Sequence, residues 1–251
     1  MLIEQTLDKL TALQLHGMVA DLRQWLEKPD RDLAPADLIG ILADAEWTYR
    51  ENRKLSTRLR QARFRQAACV EDIDYRHPRG LSKSLMLELA TSRWVAQHQA
   101  VILTGPTGTG KSYLACALGH KACRDGYVVL YRRTSRLFDE LAQARADGTY
   151  LLALRRLAKA NVLILDDFAL ERLGAAERRI LLDVLEDRYG VSSTVVTSQL
   201  DPKTWHAVID DATVADSICD RLVHNAHRIK LSGESIRKTR STLTEEKKPT
   251  K

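Results

Sequence analysis

Val101-Ile102-Leu103-Thr104-Gly105-Pro106-Thr107-Gly108-Thr109-Gly110-Lys111-Ser112-Tyr113-Leu114-Ala115-Cys116-Ala117 is the stretch that decides the fold. A short apolar run enters a glycine-rich turn, and a helix-forming run opens directly after it. Glycines at this spacing tolerate positive φ and let backbone N–H groups approach an anion, while the amino end of the helix favours negative charge. Lys111 adds a point charge for the β- and γ-oxygens of a nucleotide, and Ser112 a hydroxyl ligand for Mg²⁺. Gly105 through Tyr113 are therefore the candidate phosphate-binding residues of a P-loop. A bare glycine turn needs neither the lysine nor the serine at these offsets.

Downstream, Val162-Leu163-Ile164-Leu165 ends in Asp166-Asp167. Four aliphatics in a row predict a strand buried on both faces, with the carboxylates at its carboxyl end, where ligands of parallel sheets bind. Asp166 is the candidate Mg²⁺ holder and Asp167 the candidate group that polarises an attacking water. Further strands are expected at Val101–Thr104, Val128–Tyr131, Thr194–Thr197 and His227–Leu231, alternating with helices. This pattern predicts an α/β domain with a central parallel five-stranded sheet flanked by helices. Ser198-Gln199 follows the fourth strand, and Gln199 is a candidate for orienting water beside the γ-phosphate. Asp220-Arg221-Leu222 and Gly233-Glu234-Ser235-Ile236-Arg237 place two more arginines late in the chain.

Ahead of this domain, residues 2–65 contain no strand-like run. Leu7, Leu10 and Leu13, then Met18, Leu22, Trp25 and Leu26, keep helical spacing, with breaks expected at Gly17 and at Pro29-Asp30. A longer helix is predicted from Pro35 to about Ala62. Its second half is basic: Arg50, Arg53, Lys54, Arg58, Arg60, Arg63 and Arg65 stand against one acid, Glu51. That local charge equals the +6 of the whole chain. A solvated helix face is one explanation and a DNA-backbone contact the other. The expected division is a helical amino-terminal domain over 1–70, an ATPase domain over 71–240 and a disordered tail over 241–251.

The chain of 251 residues can bury a core without disulfide or metal staples. No apolar run reaches the length of a membrane span and the start lacks a signal peptide's features, so a cytoplasmic, membrane-free protein is expected. The four cysteines form no C-x-x-C pair, and His224 and His227 near Cys219 give a weak metal pattern. Arginines are twice as numerous as lysines, which suits phosphate recognition, whereas aromatic residues at 6% disfavour base stacking.

In this order, the P-loop, the aliphatic-Asp-Asp strand, Thr-Ser-Gln, Asp-Arg-Leu and Gly-Glu-Ser-x-Arg resemble the AAA+ ATPases of the IstB and DnaC group. The Leu-x-Gly-Met at 15–18, the basic third helix and the Arg-Ala-Asp-Gly at 145–148 look most like IstB, the helper ATPase of an insertion sequence's transposase. The resemblance implies ATP and Mg²⁺ as cofactors. It also implies homo-oligomers on duplex DNA with little sequence specificity, recruitment and stimulation of the transposase, and hydrolysis that resets the assembly. It makes Arg221 an arginine finger toward a neighbouring subunit's ATP and Arg237 a sensor of its own. The helical insert over 135–159 resembles the extra helices of replication initiators. Arg132, Arg133, Arg136, Arg145, Arg155 and Arg156, in or just before that insert, are candidate DNA contacts. Most AAA+ ATPases have Glu where this chain has Asp167, which predicts slow turnover without DNA or transposase. Three rivals remain: a helicase loader of the DnaC type, a small-molecule P-loop kinase and a nucleotide-gated adaptor without turnover.

Overall fold

The computed structural model describes residues 2–29 and 32–236, so Arg237 and the tail lie outside the described residues. The chain divides into Met1–Arg60 and Gln61–Lys251, ten residues earlier than the sequence suggests. The reason is packing. Ala62 is fully buried, and the Phe64 ring lies where a side chain on Gly119 would stand, so residues 62–64 belong to the second unit.

In the first unit, α1 (Leu2–Ala12) and α2 (His16–Glu27) pack with α3 (Pro35–Ala62), whose last two residues pass into the second unit. Leu7, Val19 and Leu22 form its small core, with Leu10, Trp25 and Leu42 against them. The break between α1 and α2 falls at 13–15, where Gln14 takes a φ of 59°, and not at Gly17 as expected. Gly17 lies inside the first turn of α2, where a Cβ would stand 2.6 Å from the Ala45 carbonyl oxygen. Its missing side chain admits α3, whose buried Glu46 accepts the N–H groups of Gly17 at 2.7 Å and Met18 at 3.3 Å. A carboxylate thus caps the positive end of α2.

The second unit begins with the short helices α4 (Lys83–Leu89) and α5 (Arg93–Ala96). It continues β1 (Ala100–Thr104), α6 (Lys111–Arg124), β2 (Val129–Arg133), α7 (Thr134–Ala146), α8 (Tyr150–Ala158) and β3 (Val162–Phe168). Then follow α9 (Ala175–Glu186), β4 (Ser193–Ser198), a 3₁₀ turn, α10 (Trp205–Ile209), α11 (Ala212–Val223) and β5 (Ala226–Lys230). All pairings are parallel, in the order β2-β3-β4-β1-β5, as the alternating pattern predicts. Alternate residues of each strand serve opposite faces. Leu163 and Leu165 join the core formed with α7 to α11, whereas Ile164 faces α6, close to Gly119. Arg188 is buried among backbone carbonyls of Leu157, Ala160 and Ser193, tying the end of α8 to the start of β4. Burial pushes its guanidinium down to about 9.

Candidate nucleotide site

The carboxyl ends of β1, β3 and β4 converge on the P-loop. Gly105, Gly108 and Gly110 all have positive φ (142°, 86° and 94°), so the loop depends on residues without a side chain. The N–H groups of Thr107, Gly108 and Gly110 donate to no acceptor among the described residues. They lie at the amino end of α6, which favours negative charge. Lys111 Nζ donates to the carbonyls of Gly105 and Pro106 at 2.8 and 2.9 Å, which holds the ammonium inside the loop.

Behind the loop, Ser112 Oγ donates to Asp166 Oδ1 at 2.7 Å. A hydroxyl and a carboxylate so placed fit a hard divalent cation, which favours oxygen donors. Asp166 is completely buried and accepts two more hydroxyls, Thr197 at 2.6 Å and Tyr131 at 2.5 Å. Burial, and then the contact with Asp166, push the Tyr131 hydroxyl well above the ordinary tyrosine range, so it remains a donor. Asp167 adopts a φ of 57°, and the β3–β4 register shifts between Leu165 and Phe168. This bulge turns the second carboxylate out of the sheet toward solvent. Thr197 Oγ1 also accepts the Asp167 N–H at 3.0 Å, so one threonine fixes both acids.

Two arginines expected on DNA stand at these acids. Arg133 Nη2 lies 3.0 Å from Asp167 Oδ2, and Arg65 Nη1 lies 3.7 and 3.8 Å from Asp166 Oδ2 and Asp167 Oδ2. Arg132 is buried and held by Glu140 at 2.9 Å, which takes it off any DNA-facing surface. Its neighbour points the other way because side chains alternate along β2. Arg145 stacks on Tyr150 and reaches Asp183, and the exposed Arg136 pairs with Asp139. Arg155 and Arg156 border an 830 Å³ groove with an apolar floor that includes Leu130, Leu152 and Leu157. On α3, Arg50, Arg53, Lys54 and Arg58 share one face and line a shallow pocket of 490 Å³. Arg50 pairs with Glu46 and Lys54 with Glu51. Arg60 and Arg63 are exposed.

Gln199 is exposed just past β4. Arg221 lies two residues before Val223, the end of α11, near the amino end of the sheet where Ala226 pairs with Ala100. The length of β1, about 16 Å, separates that edge from its own P-loop. Glu186 holds it at 2.7 Å. Arg79 was not singled out from sequence: it is buried, and its guanidinium donates to the Thr109 carbonyl inside the loop at 3.0 Å. The segment after β5 closes over the same loop, with Ile236 N donating to Gly108 O at 3.0 Å. Tyr131 and Arg79 carry no local motif, and only the strand register and the chain path bring them here.

The profile of the IstB-like ATP-binding proteins matches residues 8–244. The chain belongs to this family. A Sinorhizobium fredii protein named for ATP binding in an insertion sequence is 49% identical over 239 residues, covering 95% of this chain and 98% of that one. Among solved structures, DnaI superposes with a TM-score of 0.55 at 23% identity over 65% of this chain and 90% of its own. The DnaC helicase loader does so with 0.54 at 19%, over 65% and 96%. These structures share the fold, that of the AAA+ P-loop proteins. Family members are ATP-binding proteins of insertion sequences. Among the described residues, no helix is long and apolar enough to cross a membrane.

Proposed function

We propose that this chain is a Mg²⁺-dependent ATPase that assembles in several copies on duplex DNA, and recruits and stimulates the transposase of its insertion sequence. Hydrolysis resets the assembly. The observation that carries the enzymatic reading is the 2.7 Å contact between Ser112 Oγ and Asp166 Oδ1 at the amino end of α6, with Asp167 beside it. ATP with its metal supplies the phosphoanhydride bond and the charge that must be neutralised. Loop N–H groups and Lys111 bind the phosphates, while Ser112 and Asp166 hold the metal. Asp167 Oδ accepts the proton of a water that Gln199 helps to orient. Arg237 is assigned to the same subunit's nucleotide.

The position of Arg221 supports a shared site. It lies too far from its own loop to touch the γ-phosphate, and from the amino end of the sheet, where it pairs with Glu186, it would serve another copy's nucleotide. An arginine supplied from a neighbour contributes about 10³ to 10⁵ in rate. The basic face of α3 supports contact with the DNA backbone, which carries charge but little sequence information. Relatives named for insertion sequences favour transposition over helicase loading.

Electron microscopy with duplex DNA, comparing ATP, ADP and no nucleotide, tests the assembly. Multi-copy particles on DNA are expected with ATP alone. Single copies in all three conditions overturn it. A pull-down against the transposase and against a replicative hexamer separates the two partner classes.

A further inference from the structure

Arg65 closes the basic run in sequence, yet it stands within 4 Å of both acids of the nucleotide site. Its place is imposed by packing. Ala62 is fully buried, Phe64 fills the space left by Gly119, and the backbone of Arg65 and Gln66 lies against the Cys116 thiol of α6. The side chain, 42% exposed, spans from this anchored backbone to Asp166 and Asp167. At 3.7 and 3.8 Å it makes ion pairs without a hydrogen bond to either carboxylate. Both acids are held by other groups: Ser112, Thr197 and Tyr131 at Asp166, and Arg133 at Asp167. Arg65 is therefore dispensable for the geometry of the acids, and what it contributes is positive charge.

We infer that Arg65 supplies positive charge, not geometry, at the acid pair. It competes with the divalent cation and hands its guanidinium to a phosphate once the metal is held by Ser112 and Asp166. A cation held by Ser112 and Asp166 would meet like-charge repulsion from a guanidinium this close. With the arginine half in water this repulsion is partly screened and corresponds to about a threefold to tenfold weaker metal affinity. A phosphate oxyanion within reach of the exposed head relieves it. That oxyanion comes from the nucleotide's γ-phosphate or from the DNA backbone. The inference rests on the acid pair being the metal site of the proposed ATPase.

The test is the Mg²⁺ concentration for half-maximal binding of a fluorescent ATP analogue to the full chain, read by anisotropy, which requires no turnover. Without DNA, Arg65→Ala and Arg65→Gln are expected to lower it about threefold to tenfold, and Arg65→Lys to leave it near wild type. Thermal melts establish that each variant is folded. Two further arms locate the phosphate. A fall in the wild-type half-saturation on adding duplex DNA assigns it to the DNA backbone. A larger gap between the ATP analogue and its ADP counterpart in wild type than in Arg65→Ala assigns it to the γ-phosphate. An Arg65→Ala half-saturation equal to wild type in folded protein overturns the inference, as does a higher one, which would make Arg65 a group that helps to hold the metal complex. Mg²⁺-independent nucleotide binding by the wild type would instead defeat the metal-site reading itself.

Discussion

The Tyr131 hydroxyl donates to Asp166 Oδ2 across 2.5 Å, with both groups shielded from water. A residue of the edge strand β2 thus fixes a carboxylate of the neighbouring β3, and the acid receives three hydroxyls in all. Removing one donor leaves a buried charge less well satisfied, and hydrogen bonds to charged groups are the costly ones to lose. Tyr131→Phe is expected to destabilise the protein by about 1.5–3 kcal/mol, measured by urea unfolding with the slope unchanged. A ΔΔG near zero would show that Thr197 and Ser112 suffice.

Asp167 is turned out of the sheet by the β3 bulge, whereas Asp166 and Ser112 stay behind the loop. Asp167→Asn should therefore keep nucleotide binding within about twofold and slow phosphate release by about 10²-fold or more. Lys111→Ala should weaken binding itself. Equal turnover in wild type and Asp167→Asn would favour a nucleotide-gated adaptor.

Arg221→Ala should retain ATP binding and lose about 10³ in hydrolysis. Mixing it with Lys111→Ala protein should restore part of the activity, because a joint between the two variants pairs an intact loop with an intact arginine. No recovery across mixing ratios would place Arg221 outside the reaction.

The first helical unit should be acid-sensitive through Glu46. Burial alone would raise its carboxyl, but Arg50 and the Met18 and Gly17 N–H groups together hold it below the ordinary range. A folded-state value below the unfolded one means stability that is present above the unfolded value and lost as pH falls. The loss is expected below about pH 4.5. Glu46→Gln should cost about 1–2 kcal/mol at neutral pH and flatten the acid limb, followed by the fluorescence of Trp25 and Trp47.

If Arg53, Arg60 and Arg63 meet DNA phosphates, their joint replacement by Ala should reduce the slope of log affinity against log salt by about 2 to 3. Fluorescence anisotropy on a short duplex between 50 and 200 mM salt reads it. An unchanged slope would return these side chains to the role of a solvated helix face.

The P-loop and the aliphatic-Asp-Asp strand are legible because each is local: a strand, a glycine turn and a helix adjacent in sequence dictate their own geometry. The same local logic gives the long α3 from Pro35 and the arrangement of five strands among helices. No local pattern joins Thr197 or Tyr131 to Asp166, or Arg79 to the loop, since these partners lie 31, 35 and 30 positions away. A glycine in a helix usually weakens it, so the sequence alone places a break at Gly17. Only the close approach of α3 at Ala45 gives it another purpose.

By itself, then, the order of residues determined the parallel α/β core, the phosphate loop and the existence of a basic helical leader. Tertiary structure decided which charges serve which end. It brought Arg65 from the basic run and Arg133 from the end of β2 to the acid pair, buried Arg132 against Glu140, and set Arg221 near the amino end of the sheet. The physical reason is that a guanidinium's partner depends on the path of the backbone between them, which strand register and helix packing fix and local composition does not.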